Sequence, residues 1–163
     1  VILVIQRVSR AEVEVENEVV GRIGRGFLVL LGAEKGDDEN VAEEAARKVA
    51  GLRVFEDEHG KMNLALSEVE GSALVVSQFT LAADLSRGRR PGFDRALAPD
   101  AARPLYEEFL KALEKLGVPV ESGVFGAMMR VSLTNEGPAT FILRAGRPDL
   151  PDRGGGEAEQ ENR

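Results

Sequence analysis

The sequence predicts an α+β fold: a mainly antiparallel, β-barrel-like sheet with two helices packed on it, as a single domain over residues 1–145 of 163. Three observations carry this. Apolar residues fall in short, β-branched runs separated by Gly, Asn and Asp, the pattern of strands and turns. Only two stretches show the helical spacing of apolar residues. The strands and helices do not alternate, which argues against a parallel sheet wound from βαβ units.

Each element has a local reason. Residues 2–8 are apolar and β-branched, a strand. Residues 11–16 alternate, with Ala11, Val13 and Val15 on one face and Glu12, Glu14 and Glu16 on the other, a half-buried antiparallel strand. Asn17-Glu18 reads as a turn, residues 19–23 pair back, and Gly24-Arg25-Gly26 turns again. Residues 27–32 form a continuous apolar run, a strand buried on both faces. Asp37-Asp38 then caps a helix with Val41, Ala45 and Val49 on one face, acids at its start and Arg47-Lys48 near its end. A strand over 52–55, a polar turn over 56–61 and a buried strand over 73–79 follow. A second helix is expected over 104–116, with Pro104 in its first position and Gly117 ending it. Strands over 118–125, 128–134 and 139–143 complete a set of about eight or nine. From Gly146 onward Gly, Pro and acidic residues dominate, and residues 146–163 are expected to be a disordered acidic tail.

Composition removes several function classes. With no Cys there is neither a disulfide framework nor a thiolate metal site. No apolar run approaches the roughly 20 residues of a membrane span, and the opening apolar residues are too few for a signal-peptide core, so a cytoplasmic protein without membrane contact is expected. A net charge of −7 argues against non-specific nucleic-acid binding but leaves room for contact with an RNA end. Arg87-Gly88-Arg89-Arg90 is a local basic cluster, readable as a solvated loop or as a phosphate contact. The single histidine, His59, lies in an acidic turn and is not expected to act as a base. The acid clusters at 37–39 and 56–58 lack the spacing of a cation loop, and neither a metal nor any other cofactor is expected.

Two segments remain. Ser77-Gln78-Phe79-Thr80 closes a buried strand. Its hydroxyls and amide are readable as ordinary strand-end groups. They are equally readable as the border of an oxyanion hole made by exposed backbone N–H groups. Thr80 as a nucleophile lacks an identifiable base. Asn135-Glu136-Gly137-Pro138 interrupts an apolar stretch, readable as a hairpin turn or as a special X-Pro step whose isomer the sequence alone does not decide.

With these segments the chain resembles the D-aminoacyl-tRNA deacylases of the bacterial and eukaryotic type (the D-Tyr-tRNA(Tyr) deacylase family) over about residues 2–143. The pieces that carry the resemblance are Val4-Ile5-Gln6-Arg7-Val8-Ser9-Arg10-Ala11, Gly32-Ala33-Glu34-Lys35-Gly36-Asp37 and Lys61-Met62-Asn63-Leu64. To these are added Val75-Val76-Ser77-Gln78-Phe79-Thr80-Leu81, Gly88-Arg89-Arg90-Pro91 with Phe93, and Asn135-Glu136-Gly137-Pro138-Ala139-Thr140. The chain departs from the family pattern at Ala82, where Tyr is usual, at Gly92, where Ser is usual, and at Glu136, where Asp is frequent.

The resemblance implies a homodimer with its active site at the subunit interface, where Ser77, Gln78, Phe79 and Thr80 of one subunit face a cis Gly137-Pro138 step from the other. Arg7 would help hold that step, and Met129 would border the pocket. The implied substrate is D-aminoacyl-tRNA, with glycyl-tRNA also accepted. Phe79 and Thr80 N–H groups would bind the developing oxyanion, the terminal ribose 2′-hydroxyl would assist the attacking water, and Gly137 and Pro138 would leave no room for an L side chain. The alternatives are a non-catalytic RNA-end binding module using Arg7, Arg89 and Arg90, and a structural dimerisation barrel.

Overall fold

A computed structural model describes residues 1–146. The predicted tail lies outside the described residues from 147 onward. Gly146, assigned to that tail, belongs to the body: a Cβ there would stand 2.7 Å from Val41.

In chain order the elements are β1 (Ile2–Val15), β2 (Glu18–Ile23), β3 (Gly26–Gly32), α1 (Glu39–Gly51), β4 (Phe55–Glu56) and β5 (Met62–Leu64). They continue with β6 (Ser72–Ser77), α2 (Pro99–Lys115), β7 (Val120–Ser122) and β8 (Arg130–Arg144). Short 3-10 helices span Leu66–Val69 and Phe79–Ala82. No helix among the described residues is long and apolar enough to cross a membrane.

The main sheet runs β2-β1-β3-β6-β7, with β8 also paired to β1, and β4 and β5 form a separate ribbon. The β1 pairings are all antiparallel and β3–β6 and β6–β7 are parallel, so the sheet is mainly antiparallel, as expected, with a parallel part at β3-β6-β7. The sheet nearly closes into a barrel as β2 curls toward β7. A Cβ on Gly21 would lie 2.8 Å from the Ser122 carbonyl oxygen, so glycine permits that approach.

Alternation along the central strands sends side chains to two cores. Leu3, Ile5, Phe27, Val29 and Val75 pack beneath the helices with Val49, Phe109 and Leu113. Val8, Ala11, Val13, Leu28, Leu74 and Val76 fill the opposite face, joined by Met129, Val131 and Leu133. Phe27 and Phe55 stack at 5.0 Å between centroids, and each such buried side chain stabilises the fold by roughly 1.5–3 kcal/mol. Strands with apolar side chains on both faces read as continuous apolar runs, as residues 27–31 do.

Several boundaries differ from expectation. The first two predicted strands are one, β1, and its hairpin turn is Glu16-Asn17, with φ of 52° and 65°, not Asn17-Glu18. Asp38 caps α1 by accepting from Val41 N–H at 3.1 Å, whereas Asp37 accepts from Glu34 N–H at 2.7 Å. The strand expected over 52–55 shrinks to β4. Helix α2 starts at Pro99, leaving Pro104 inside it, because its first turn, Pro99-Asp100-Ala101-Ala102, has no large apolar residue to extend the spacing. Its end is as expected: Gly117, with φ of 83°, donates to Glu114 O, and Val118 N–H donates to Leu113 O. The strand over 118–125 contracts to β7, and the last two predicted strands are one, β8, with Gly137-Pro138 inside it.

Candidate active site

β6 stops at Ser77 because the chain turns into the 3-10 helix at Phe79. Gln78 N–H is used by Leu31 O at 2.7 Å, and the 3-10 ladder begins with Leu81 N–H on Gln78 O at 3.2 Å. The Phe79 and Thr80 amides fall between these two, ahead of the ladder, where helix N–H groups have no partner within the helix. The strand-end expectation for Ser77 to Thr80 therefore holds only for Ser77. Gln78 Nε2 donates to Thr80 Oγ1, joining the two polar side chains of the motif.

Ser77, Gln78 and Phe79 line a cavity of about 780 Å³. Its wall continues through Leu31, Val76, Leu97, Tyr106, Phe125 and Met129, and carries no Asp, Glu, His, Lys, Arg or Cys. Phe79 and Met128 stand at its rim, 59% and 89% exposed, a concentration of uncovered apolar surface. The Phe79 ring packs on Phe93 at 5.2 Å, and Tyr106 packs on Phe125 at 5.7 Å. Tyr106 donates its hydroxyl to Val75 O at 2.8 Å, and burial pushes its pKa up to about 12 against a smaller opposing effect of Ser122. It is therefore a fixed donor, not a base.

Gly137 and Pro138 lie elsewhere. Between the pairs Gln6↔Thr140 and Val8↔Asn135, β1 advances through Arg7 alone while β8 spends residues 136–139. The segment is a wide bulge within one strand, not a hairpin turn. Asn135 clamps its base: Oδ1 accepts from Ala139 N–H and Nδ2 donates to Thr140 Oγ1, both at 2.8 Å. The Gly137–Pro138 peptide is cis. Buried Arg7 donates to Glu136 O at 3.0 Å and to Val54 O at 2.7 Å. Arg7, Glu136 and Gly137 line a second cavity of about 400 Å³, and no residue lines both cavities.

Within one chain the structure thus gathers Ser77, Gln78, Phe79 and Met129 at one place, with Thr80 beside them, and Arg7, Gly137 and Pro138 at another. His59 lies in the β4–β5 turn, 3.9 Å from Glu58, and lines neither cavity. Among the described residues no three His, Cys, Asp or Glu side chains converge on a point where an ion would sit. The sequence reading missed Tyr106, Phe125 and Met128. A signal existed for Tyr106: it is the chain's single tyrosine, on the buried face of an amphipathic helix, where its hydroxyl needs a partner.

A sequence model of the family described as D-Tyr-tRNA(Tyr) deacylase matches residues 4–144. The chain is 58% identical over 140 residues to the D-aminoacyl-tRNA deacylase of Geobacter sulfurreducens, covering 86% of this chain and 92% of that one. It is 57% identical over 140 residues to the D-aminoacyl-tRNA deacylase of Symbiobacterium thermophilum, covering 86% and 93%. Among solved structures, the c-Myc DNA Unwinding Element Binding Protein superposes with a TM-score of 0.85 at 39% identity, over 90% of this chain and all of that one.

Proposed function

The chain belongs to the D-Tyr-tRNA(Tyr) deacylase family, and on that premise we propose how its backbone performs the reaction. The chain is a hydrolase that cleaves the ester bond of D-aminoacyl-tRNA, releasing the amino acid and the tRNA. The observation that carries the mechanism is a pair of amides, Phe79 and Thr80, placed ahead of a helical ladder beside a cavity wall that holds no side-chain base.

The ester carbonyl oxygen gains negative charge as water attacks the carbonyl carbon. The Phe79 and Thr80 N–H groups, held by the fold before substrate arrives, donate hydrogen bonds to that oxygen and stabilise its charge without reorganising. The 2′-hydroxyl of the terminal ribose positions the water and takes part in its deprotonation, the role the protein leaves vacant. Ser77, Gln78 and Met129 shape the pocket around the reacting carbon. When the bond to the ribose oxygen breaks, the tRNA leaves with its 3′ end intact.

Chiral selection comes from the second constellation. Gly137 and Pro138 are apart from the cavity in their own chain, and a second copy of the chain supplies them in a homodimer. Their backbone forms a wall against the substrate Cα that admits hydrogen, as in glycyl-tRNA, or a D side chain. An L side chain would collide with it, and exclusion by collision discriminates more strongly than the roughly 1–3 kcal/mol of a missing methylene contact. The reaction belongs in the cytoplasm, where charged tRNA is consumed.

The test is hydrolysis of paired D- and L-aminoacyl-tRNA by the purified protein, together with a D-substrate whose terminal ribose is 2′-deoxy. Release of the D residue only, and near-complete loss on the deoxy substrate, is expected. Preferential release of the L residue would overturn the chiral wall, and full activity on the deoxy substrate would remove the ribose hydroxyl from the mechanism.

A further inference from the structure

Resting on the deacylase reading, we infer that the loop of residues 85–91 grips the phosphate backbone of the tRNA beside its 3′ end through Arg87, Arg89 and Arg90. The loop is built, not loose. Asp84 and Gly92 exchange both backbone hydrogen bonds at its base, at 2.7 and 2.9 Å, and Asp84 Oδ1 accepts from Ser86 N–H at 2.9 Å. The Ser86 hydroxyl and N–H also hold the Asp84 carboxyl below its ordinary pKa, so this brace stays ionised.

The three arginines are exposed, and none forms an ion pair among the described residues. Phe93, one residue past the loop's base, packs on Phe79 at 5.2 Å, which fixes the loop against an oxyanion residue. Elsewhere on the cavity wall, Arg103 lies over the ring of Phe125 at 5.0 Å. Cations therefore flank an uncharged cavity on a chain of net charge −7. A polyanion entering with its ester end would meet favourable charge at this rim while the rest of the acidic surface repels it. Guanidinium groups suit phosphate because their fork matches its oxygens.

The experiment compares the full chain with the triple variant R87Q/R89Q/R90Q and with R87K/R89K/R90K. Hydrolysis of D-aminoacyl-tRNA is followed across a salt series, and binding of uncharged tRNA is measured alongside. For the glutamine triple, KM should rise about tenfold at low salt with kcat kept. The slope of log(kcat/KM) against log[salt] should shrink by about 2, since each phosphate contact contributes about 0.7–0.9. The lysine triple should keep most of that slope. A D-aminoacyl adenosine, which lacks the tRNA backbone, should be cleaved equally by all three proteins. An unchanged slope overturns the inference, as does an equal loss on the adenosine ester, which would place the arginines at the reacting centre instead. If the unaltered chain failed to release D residues, the deacylase reading would fall, while the salt slope of uncharged-tRNA binding would still decide the loop.

Discussion

The Arg7 guanidinium ties the Glu136 carbonyl, 3.0 Å from Nε, to the Val54 carbonyl, 2.7 Å from Nη1. One buried cation thus holds the bulge of β8 to the segment between α1 and β4. The bulge has few other anchors, Asn135 being the chief one. The shape of the Gly137-Pro138 step therefore depends on a side chain 129 positions away from its acceptor.

Replacing Arg7 by Met should lower stability by about 2–4 kcal/mol, because two charge-assisted hydrogen bonds are lost and two carbonyls are left without their donor. Arg7→Lys should not restore it, since one ammonium cannot reproduce the two-armed geometry. Thermal melts and D-aminoacyl-tRNA turnover check this. A Lys variant with normal stability and activity would show that the two-point tie is unimportant.

Gly137→Ala should reduce turnover of D-substrates by about a hundredfold or more. The backbone there has φ of 133°, which L residues rarely adopt, and the new Cβ would stand 2.8 Å from Arg7 Nη2. Single-turnover kinetics on D-aminoacyl-tRNA decide the matter, with unchanged rates discarding the role assigned to this residue.

Thr80→Ala should retain activity within about tenfold, because the proposed contribution of this residue is its N–H, which alanine keeps. The hydroxyl's partner, Gln78 Nε2, is a donor and not a base. A loss beyond about a thousandfold would mark the hydroxyl as the nucleophile.

Alkaline titration should find the tyrosinate absorbance of Tyr106 appearing near pH 12, from an ordinary value of 10.0, for as long as the chain stays folded. The signal is unambiguous because the chain has one Tyr and no Trp. The sign follows from linkage. Burial raises the folded-state pKa, so the associated stability is fully present below about pH 10 and disappears as pH rises through about 12. Tyr106→Phe should remove this dependence and the bond to Val75 O. Tyrosinate forming at pH 10 in the folded protein would contradict the buried hydrogen bond.

Features set by local chemistry were legible from the residues alone. Asp38 ahead of the Val41, Ala45 and Val49 stripe, and Gly117 after Leu116, mark helix ends by capping groups that act within a few positions. The apolar run at 27–31 announced a strand covered on both faces. Partner choice was not legible: nothing local in residues 72–77 says that β6 runs parallel to β3, because pairing is settled by long-range packing. For the same reason β1 and β8 each read as two strands, since an irregularity opposite a partner looks like a turn when the partner is unknown. The separation of residues 77–80 from Gly137 and Pro138 was expected only through the family resemblance, and the Tyr106, Phe125 and Met128 contributions to the cavity wall needed three dimensions.

The register of β1 against β8 shifts twice around Arg7, and both strands change inward parity together. Odd-numbered Leu3, Ile5, Phe141 and Leu143 pack toward the helices, yet odd-numbered Ala11, Val13, Val131 and Leu133 pack toward the other face. Each strand carries an odd excess of residues there, so the mismatch cancels across the pair. Shortening residues 136–139 by one, with β1 untouched, would rotate the end of β8 by half a repeat. Phe141 and Leu143 would swing out and Ile142, now 69% exposed, would swing in. The length of residues 136–139 is thereby tied to which face the end of β8 turns to the core, and with β1 unchanged only a change of two residues preserves it.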